Sequence, residues 1–445
     1  MTLIQLFQFI LSISILVILH ELGHFIPAKL FKTKVEKFYL FFDPWFSIAK
    51  KKIGDTEYGI GWLPFGGYVK IAGMVDESMD TEQLKQPAQP WEFRSKPAWQ
   101  RLIIMLGGVT VNFFLAWVIY SSLSYFKGEI YHDNTKFENG VSVSPAGQKM
   151  GLKSGDKILK IDGKPAERME TSTINMLFAN EVTVLREGKE VTFPINEDGV
   201  ADVLAENEAK LYFSPRFPAV IDNLLPNGSA KSAGLMKGDK IVGINGKPVM
   251  FYDEVTTKLS QLKNKDVVLD IDRNNVVQQY NLKLNNEGKI GFGPGGSLAQ
   301  QEFEKTRVVK KYTLAEAIPR GFTRTIDVLV MQVKQFKIVF NTKTQGYKKI
   351  SGPIGIIKQM PETINWEFFW SFTAMFSVWL AFLNLIPIPG LDGGHVVFTL
   401  WEMITGKPVP QKVLENAQMI GVIFLLGLMV LIFGSDIVKW ITGKF

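Results

Sequence analysis

Four apolar runs, two near each end of a 445-residue chain, constrain this sequence more than anything else in it. Residues 3–19, 102–126 and 368–385 contain no charged side chain, and residues 417–440 carry charge only near their far end. Runs of about 18 or more apolar residues span a hydrocarbon core of about 30 Å as helices. Inside that core a backbone must satisfy its own polar groups, which excludes an irregular course. The expected architecture is therefore a multi-pass α-helical membrane protein with four transmembrane helices. A polar stretch from Lys127 to about residue 366 is inserted between the second and third.

The first run ends in His20-Glu21-Leu22-Gly23-His24. On a helix, residues four apart share a face, so both imidazoles reach one metal ion. Glu21 lies beside the first ligand, close enough to take a proton from water at the metal without ligating it. Ionisable groups at the end of a membrane-length run are expensive and are read as functional. The chain has only four histidines, and two fall in this spacing. The alternative, a pair of core histidines on a helix, leaves Glu21 unexplained.

Lys29, Lys32, Lys34 and Lys37 follow the motif. By the positive-inside tendency this end faces the cytosol and the N-terminus faces outward. The segment has no basic stretch before the apolar run and no small-residue cleavage site, so it reads as an anchor rather than a signal peptide. The net charge of +7 is modest and spread out. With no basic stripe interleaved with aromatics, nucleic acid is not an expected partner; the lipid bilayer is. The absence of cysteine excludes disulfides and thiolate metal sites.

Between the runs, residues 57–73 place two β-prone stretches around Pro64-Phe65-Gly66-Gly67. This reads as a β-hairpin, too short to cross a bilayer as a helix. At membrane depth such a hairpin re-enters only where protein or a wet cavity covers its backbone. Its edge offers strand addition to an extended peptide. Residues 75–97 read as a polar linker. From Lys127 the composition turns soluble, and residues 151–165 repeat as 234–248, without a gap, at ten of fifteen positions. The shared pattern is Gly-Leu, a Gly-Asp turn, a β-run, then Asp-Gly or Asn-Gly closing a hairpin. A repeat of this quality means two copies of one small β-rich domain, and the pattern resembles PDZ domains of the bacterial protease type. The expected divisions are 1–126, two PDZ-like domains at 127–210 and 211–295, a linker with an amphipathic helix at 296–349, and 350–445. That amphipathic helix reads as lying on the membrane surface, with a satellite helix of the soluble part as the alternative.

Topology then brings two distant motifs together. Four spans put both termini, and the inserted region, on one side of the membrane. Helices one and three both start there, so His20 and His24 arrive at the same depth as Asp392. Pro387 and Pro389 break the third helix just before it. Asp392 is the leading third ligand, completing two histidines and a carboxylate. His395, three residues on, competes with it, and Glu402 is a weaker candidate.

His20-Glu21-Leu22-Gly23-His24, Gly66-Gly67-Tyr68-Val69-Lys70, the tandem PDZ-like segments and the stretch from Asn384 to His395 occur in this order in the site-2 protease family. The sequence resembles that family over nearly its whole length. The resemblance implies an intramembrane zinc metalloendopeptidase with Zn2+ held by His20, His24 and Asp392 and with Glu21 as catalytic base. It implies that Asn384 and the hairpin (Gly66, Gly67 and Tyr68) bind substrate. It further implies cleavage of transmembrane segments of single-pass proteins, such as a pre-trimmed anti-sigma factor and signal-peptide remnants. The implied location is the bacterial inner membrane, with the PDZ domains and termini periplasmic and the active site near the cytoplasmic side. One departure stands out: Val109 occupies a position where the family often has proline, while Asn112 keeps its place. The rival class is a tandem-PDZ membrane scaffold or quality-control binding protein, for which Glu21 would be dispensable.

Overall fold

The computed structural model describes residues 2–74, 86–205, 212–293, 297–344 and 346–442. The expected linker at 75–97 lies partly outside the described residues, as does the expected division at 210/211. The chain forms two compact units. One comprises Met1–Gly128, Lys311–Val333 and Ile350–Phe445; the other comprises Glu129–Lys310 and Lys334–Lys349.

In the first unit, four helices are long and apolar enough to cross a membrane: α1 (Leu3–Leu30), α2 (Ala98–Lys127), α4 (Trp366–Leu385) and α6 (Gln411–Ile441). They extend the four apolar runs by up to about three turns, because helices continue into the polar flanks. α2 is unbroken through Val109, as the absence of proline allows. Between α1 and α2, β1 (Val35–Ile53) and β2 (Thr56–Ile71) form an antiparallel pair. The expected hairpin at 57–73 differs in its pairing partner. Residues 57–60 and 67–70 run in opposite directions, so the chain does reverse between them, but each pairs with β1 rather than with the other. The partner strand is β1, whose mixed charges and Pro44 masked its strand character. The pair folds on itself, so that residues 37–40 face 57–60 on one side and 67–70 on the other, while 47–53 pair with 56–61.

α3 (Leu314–Phe340) lies within the expected amphipathic stretch. Within the first unit part of its apolar face is covered by other helices. Val328 and Leu329 pack with Ala116, Ile119 and Tyr120 of α2 and with Ala374 and Val378 of α4. The Trp117 indole N–H donates to the Ile318 carbonyl at 2.9 Å. Gly321 lies on α2, where a Cβ would come within 2.2 Å of Ser121 Oγ. Small residues permit this close approach between helices.

α4 stops at Leu385 and α5 (Asp392–Thr405) begins at Asp392. Pro387 and Pro389 break the helix as expected, and α6 presses on the break: a Cβ on Gly421 would meet the Pro389 carbonyl. Asp436 of α6, fully buried, accepts from the amides of Gly352 (2.9 Å), Ile354 (3.0 Å) and Gly355 (3.2 Å). A buried carboxylate in a span is tolerated when donors surround it.

In the second unit, two four-stranded sheets have equivalent strand order. One uses Lys157–Ile161, Lys164–Pro165, Glu181–Arg186 and Lys189–Pro194; the other uses Lys240–Ile244, Lys247–Pro248, Asp266–Arg273 and Val276–Lys283. The repeated Gly-Asp turn does the same work in both. Asp156 accepts from the Lys153 amide and the Arg186 guanidinium (2.8 and 2.7 Å). Asp239 accepts from the Met236 amide (2.8 Å) and Arg273 (2.6 Å). Burial alone would raise the Asp239 pKa, but Arg273 and the Met236 amide outweigh it and hold the carboxyl below its usual 3.8. A depressed carboxylate stabilises the fold above its unfolded pKa, and that contribution disappears as pH falls through the folded value. Protection of the 240–244 and 266–273 amides against hydrogen exchange should therefore fall as pH drops below about 4. Asp239→Ala should lower it at neutral pH as well, since the Met236 amide and Arg273 lose their acceptor. Unchanged protection in the variant would remove this role from the Gly-Asp turn.

Candidate metal centre and active site

The site is built where α1 crosses α2. At the crossing the backbones touch: a Cβ on Gly23 would lie 2.4 Å from the Gly107 carbonyl oxygen, and one on Gly107 would lie 1.9 Å from that of Gly23. Gly23 is the fourth residue of the five-residue motif, so the crossing falls at the two histidines. Gly108, next on α2, clears space for their rings; a Cβ there would come within 2.4 Å of His24 Nε2 and 2.5 Å of His20 Cε1.

Both rings are buried and each has its Nδ1 on α2. His24 Nδ1 lies 2.8 Å from the Ile104 carbonyl oxygen, and His20 Nδ1 lies 3.1 Å from the Asn112 amide. The two Nε2 atoms are 3.2 Å apart. Asp392, the first residue of α5, brings Oδ2 to 3.3 Å from His20 Nε2 and 3.2 Å from His24 Nε2. That oxygen is buried and makes no hydrogen bond.

The donor set fits a metal ion. The Ile104 carbonyl only accepts, so the His24 proton sits on Nδ1 and its Nε2 lone pair faces a carboxylate. Two lone-pair atoms this close repel unless a cation lies between them. Ligand atoms about 2.0–2.1 Å from a tetrahedral centre stand roughly 3.3–3.4 Å from one another. The three separations here are 3.2, 3.2 and 3.3 Å. His20, His24 and Asp392 are the group of potential metal ligands that converges among the described residues.

A cavity of about 580 Å³ opens on this cluster. Glu21 lines it but is not one of the converging ligands. Asn384 lines it too, with Nδ2 at 3.2 Å from His20 Nε2. Gly67 and Tyr68 of β2 form part of the wall; Gly66 does not. Gly66 has φ +152°, and a Cβ there would meet the Phe42 ring at 2.7 Å. A Cβ on Gly67 would lie 2.5 Å from Val17 of α1. Gly67 thus lets the strand lie close on α1, and Gly66 leaves room for the Phe42 ring. The Tyr68 hydroxyl donates to Asp43 at 2.9 Å.

Of the rival ligands, His395 lines the cavity without joining the converging trio, and Glu402 pairs with Arg101. His132 lies in the second unit, paired with Glu170 at 2.7 Å. Sequence reasoning missed the Ile104 carbonyl and Gln418, a buried polar side chain on α6 that lines the cavity. The spacing of 104, 108 and 112, one helical face, was the available signal for the first. A polar residue within the last span was the signal for the second.

The family model for peptidase family M50 matches residues 8–428. The regulator of sigma E protease of Haemophilus influenzae is 28% identical, over 97% of this chain and 98% of its own. The regulator of sigma-E protease RseP of Escherichia coli is also 28% identical over the same shares. A Neisseria meningitidis relative, 27% identical over 98% of this chain and 99% of its own, carries the name of a candidate zinc metalloprotease. A match across nearly the whole chain, together with a ligand trio at zinc spacing beside membrane-length helices, leads to one conclusion: the chain belongs to peptidase family M50, the site-2 protease family, and is an intramembrane zinc metalloprotease.

Proposed function

We propose that His20, His24 and Asp392 hold the zinc, that Glu21 is the catalytic base, and that the substrates are transmembrane segments of single-pass proteins in the bacterial inner membrane. The observation that carries this is the convergence of three ligand atoms at zinc spacing in a cavity bordered by a strand edge. When bound, zinc lowers the pKa of coordinated water towards about 7 and polarises the scissile carbonyl. Glu21 takes the proton from the attacking water and returns it to the leaving amine. Asn384, beside His20, donates its amide hydrogens to the substrate backbone near the scissile bond.

A helical substrate hides its amides in internal hydrogen bonds and must unwind before attack. Residues 67–71 of β2 pair on one side with β1 and line the cavity. Their other edge has no strand partner among the described residues. It takes the unwound segment by strand addition, offsetting the lost hydrogen bonds. This reading makes β1 and β2 a re-entrant element. The repeated sheets are PDZ domains, at 127–210 and 211–295, on the periplasmic side with both termini. They exclude substrates with large outer domains, so an anti-sigma-factor-like protein is cut only after trimming, and signal-peptide remnants pass freely.

Two single-span model substrates test the unwinding step, one with helix-breaking residues near the scissile position and one with leucines there. The first should be cleaved at least about tenfold faster, one helix-interior glycine being worth about 1 kcal/mol and proline about 3. Equal rates would remove strand addition from the mechanism.

A further inference from the structure

Asn112 has no part in the reading above. It is fully buried in α2 and its Oδ1 makes no hydrogen bond. It stands four residues beyond Gly108 and eight beyond Ile104, on the face of α2 that meets both imidazoles. Ile104 supplies an acceptor for Nδ1 of His24, Gly108 supplies the clearance, and Asn112 meets Nδ1 of His20.

An imidazole that ligates through Nε2 keeps its proton on Nδ1, and the hydrogen bond there selects that tautomer. For His24 the partner is a carbonyl, which only accepts. For His20 the partner is an amide, whose two ends are alike in shape and are told apart by their hydrogen bonds. With the NH2 end facing Nδ1, the ring proton goes to Nε2, among Asp392, His24 and Asn384. A proton there occupies the place of the metal. Turning the amide over leaves one of its ends without a partner, as before, but frees Nε2.

We propose that Asn112 presents Oδ1 to the Nδ1–H of His20 and is a positioning residue that selects the metal-binding tautomer. The inference rests on the zinc-ligand reading of His20. The Asn112 backbone carbonyl accepts separately from Ser377 Oγ at 2.7 Å, so side-chain variants retain that helix contact.

The test measures zinc dissociation constants by competition with a chelator, on the full chain in detergent, for wild type, Asn112→Asp and Asn112→Leu. Asn112→Leu, of similar size but without an acceptor, should bind zinc about 10- to 100-fold more weakly. Asn112→Asp keeps the acceptor and should bind at least as tightly as wild type. Equal affinity in the Leu variant overturns the proposal, and so does an Asp variant as weak as Leu. Wild-type protein that binds no zinc overturns the ligand reading itself, which separates the two failures. If the Leu variant does not fold, nitrogen-15 spectra of histidine-labelled wild type decide: His20 protonated at Nδ1 with zinc bound supports the role, and a ring protonated at Nε2 overturns it.

Discussion

Glu21→Gln protein is expected to bind about one zinc per chain and to cleave a model transmembrane peptide at least a hundredfold more slowly than wild type. The substitution keeps the side chain's size and removes its ability to take a proton. General acid–base catalysis by a positioned group contributes about 10²–10⁴ in rate, so a loss of that order isolates the proton transfer. Zinc should stay because Glu21 lines the cavity without belonging to the ligand trio. The helix crossing should also stay, since it rests on Gly23 and Gly107 rather than on this carboxylate. Zinc content by metal analysis and cleavage by gel make up the measurement. Normal cleavage by the variant would remove Glu21 as the base and return the scaffold reading to contention. Loss of zinc would instead make Glu21 part of the metal shell.

Asp392→Asn should lose both metal and activity, for a different reason. In the proposed site the carboxylate supplies the negative charge opposite the two imidazoles, with its Oδ2 at 3.3 and 3.2 Å from their Nε2 atoms. Zinc binding by four-ligand structural sites is worth about 10–16 kcal/mol, or roughly 2.5–4 kcal/mol per ligand. Losing one ligand should therefore weaken zinc by about a hundredfold or more. The amide that replaces it is close in shape, so packing against α1 should be little disturbed and a melting curve should stay near that of wild type. His395→Ala is the companion control. His395 lines the same cavity without joining the converging atoms, so its loss should leave about one zinc per chain. If the His395 variant lost the metal and the Asp392 variant kept it, the third ligand would be reassigned.

Much of the fold is legible in the sequence because membrane spans and helical metal motifs are local patterns. The four apolar runs appear as α1, α2, α4 and α6. The two prolines break the helix shortly before Asp392. The sheet was harder to read. The period and turn residues of 57–73 pointed to a hairpin, but strand pairing is a choice of partner. Residues 35–53, carrying Asp43, Pro44 and a lysine run, outcompeted the local alternative. The helix at 314–340 was legible as a helix, yet its apolar stripe does not reveal whether protein or lipid covers it.

By itself, then, the sequence determined which residue types are available for chemistry and where helices cross the apolar layer, since both follow from composition and period along the chain. It also determined that His20 and His24 share a face, because helical geometry requires it. Which third side chain meets them was left to tertiary structure. Asp392 and His395 are three residues apart, and only the path of 386–391 under α6 aims one at both Nε2 atoms. The support beneath the rings was likewise decided in three dimensions. Ile104, Gly108 and Asn112 matter because α1 meets α2 at Gly23 and Gly107, and a contact between helices 80 or more residues apart is written in no local pattern.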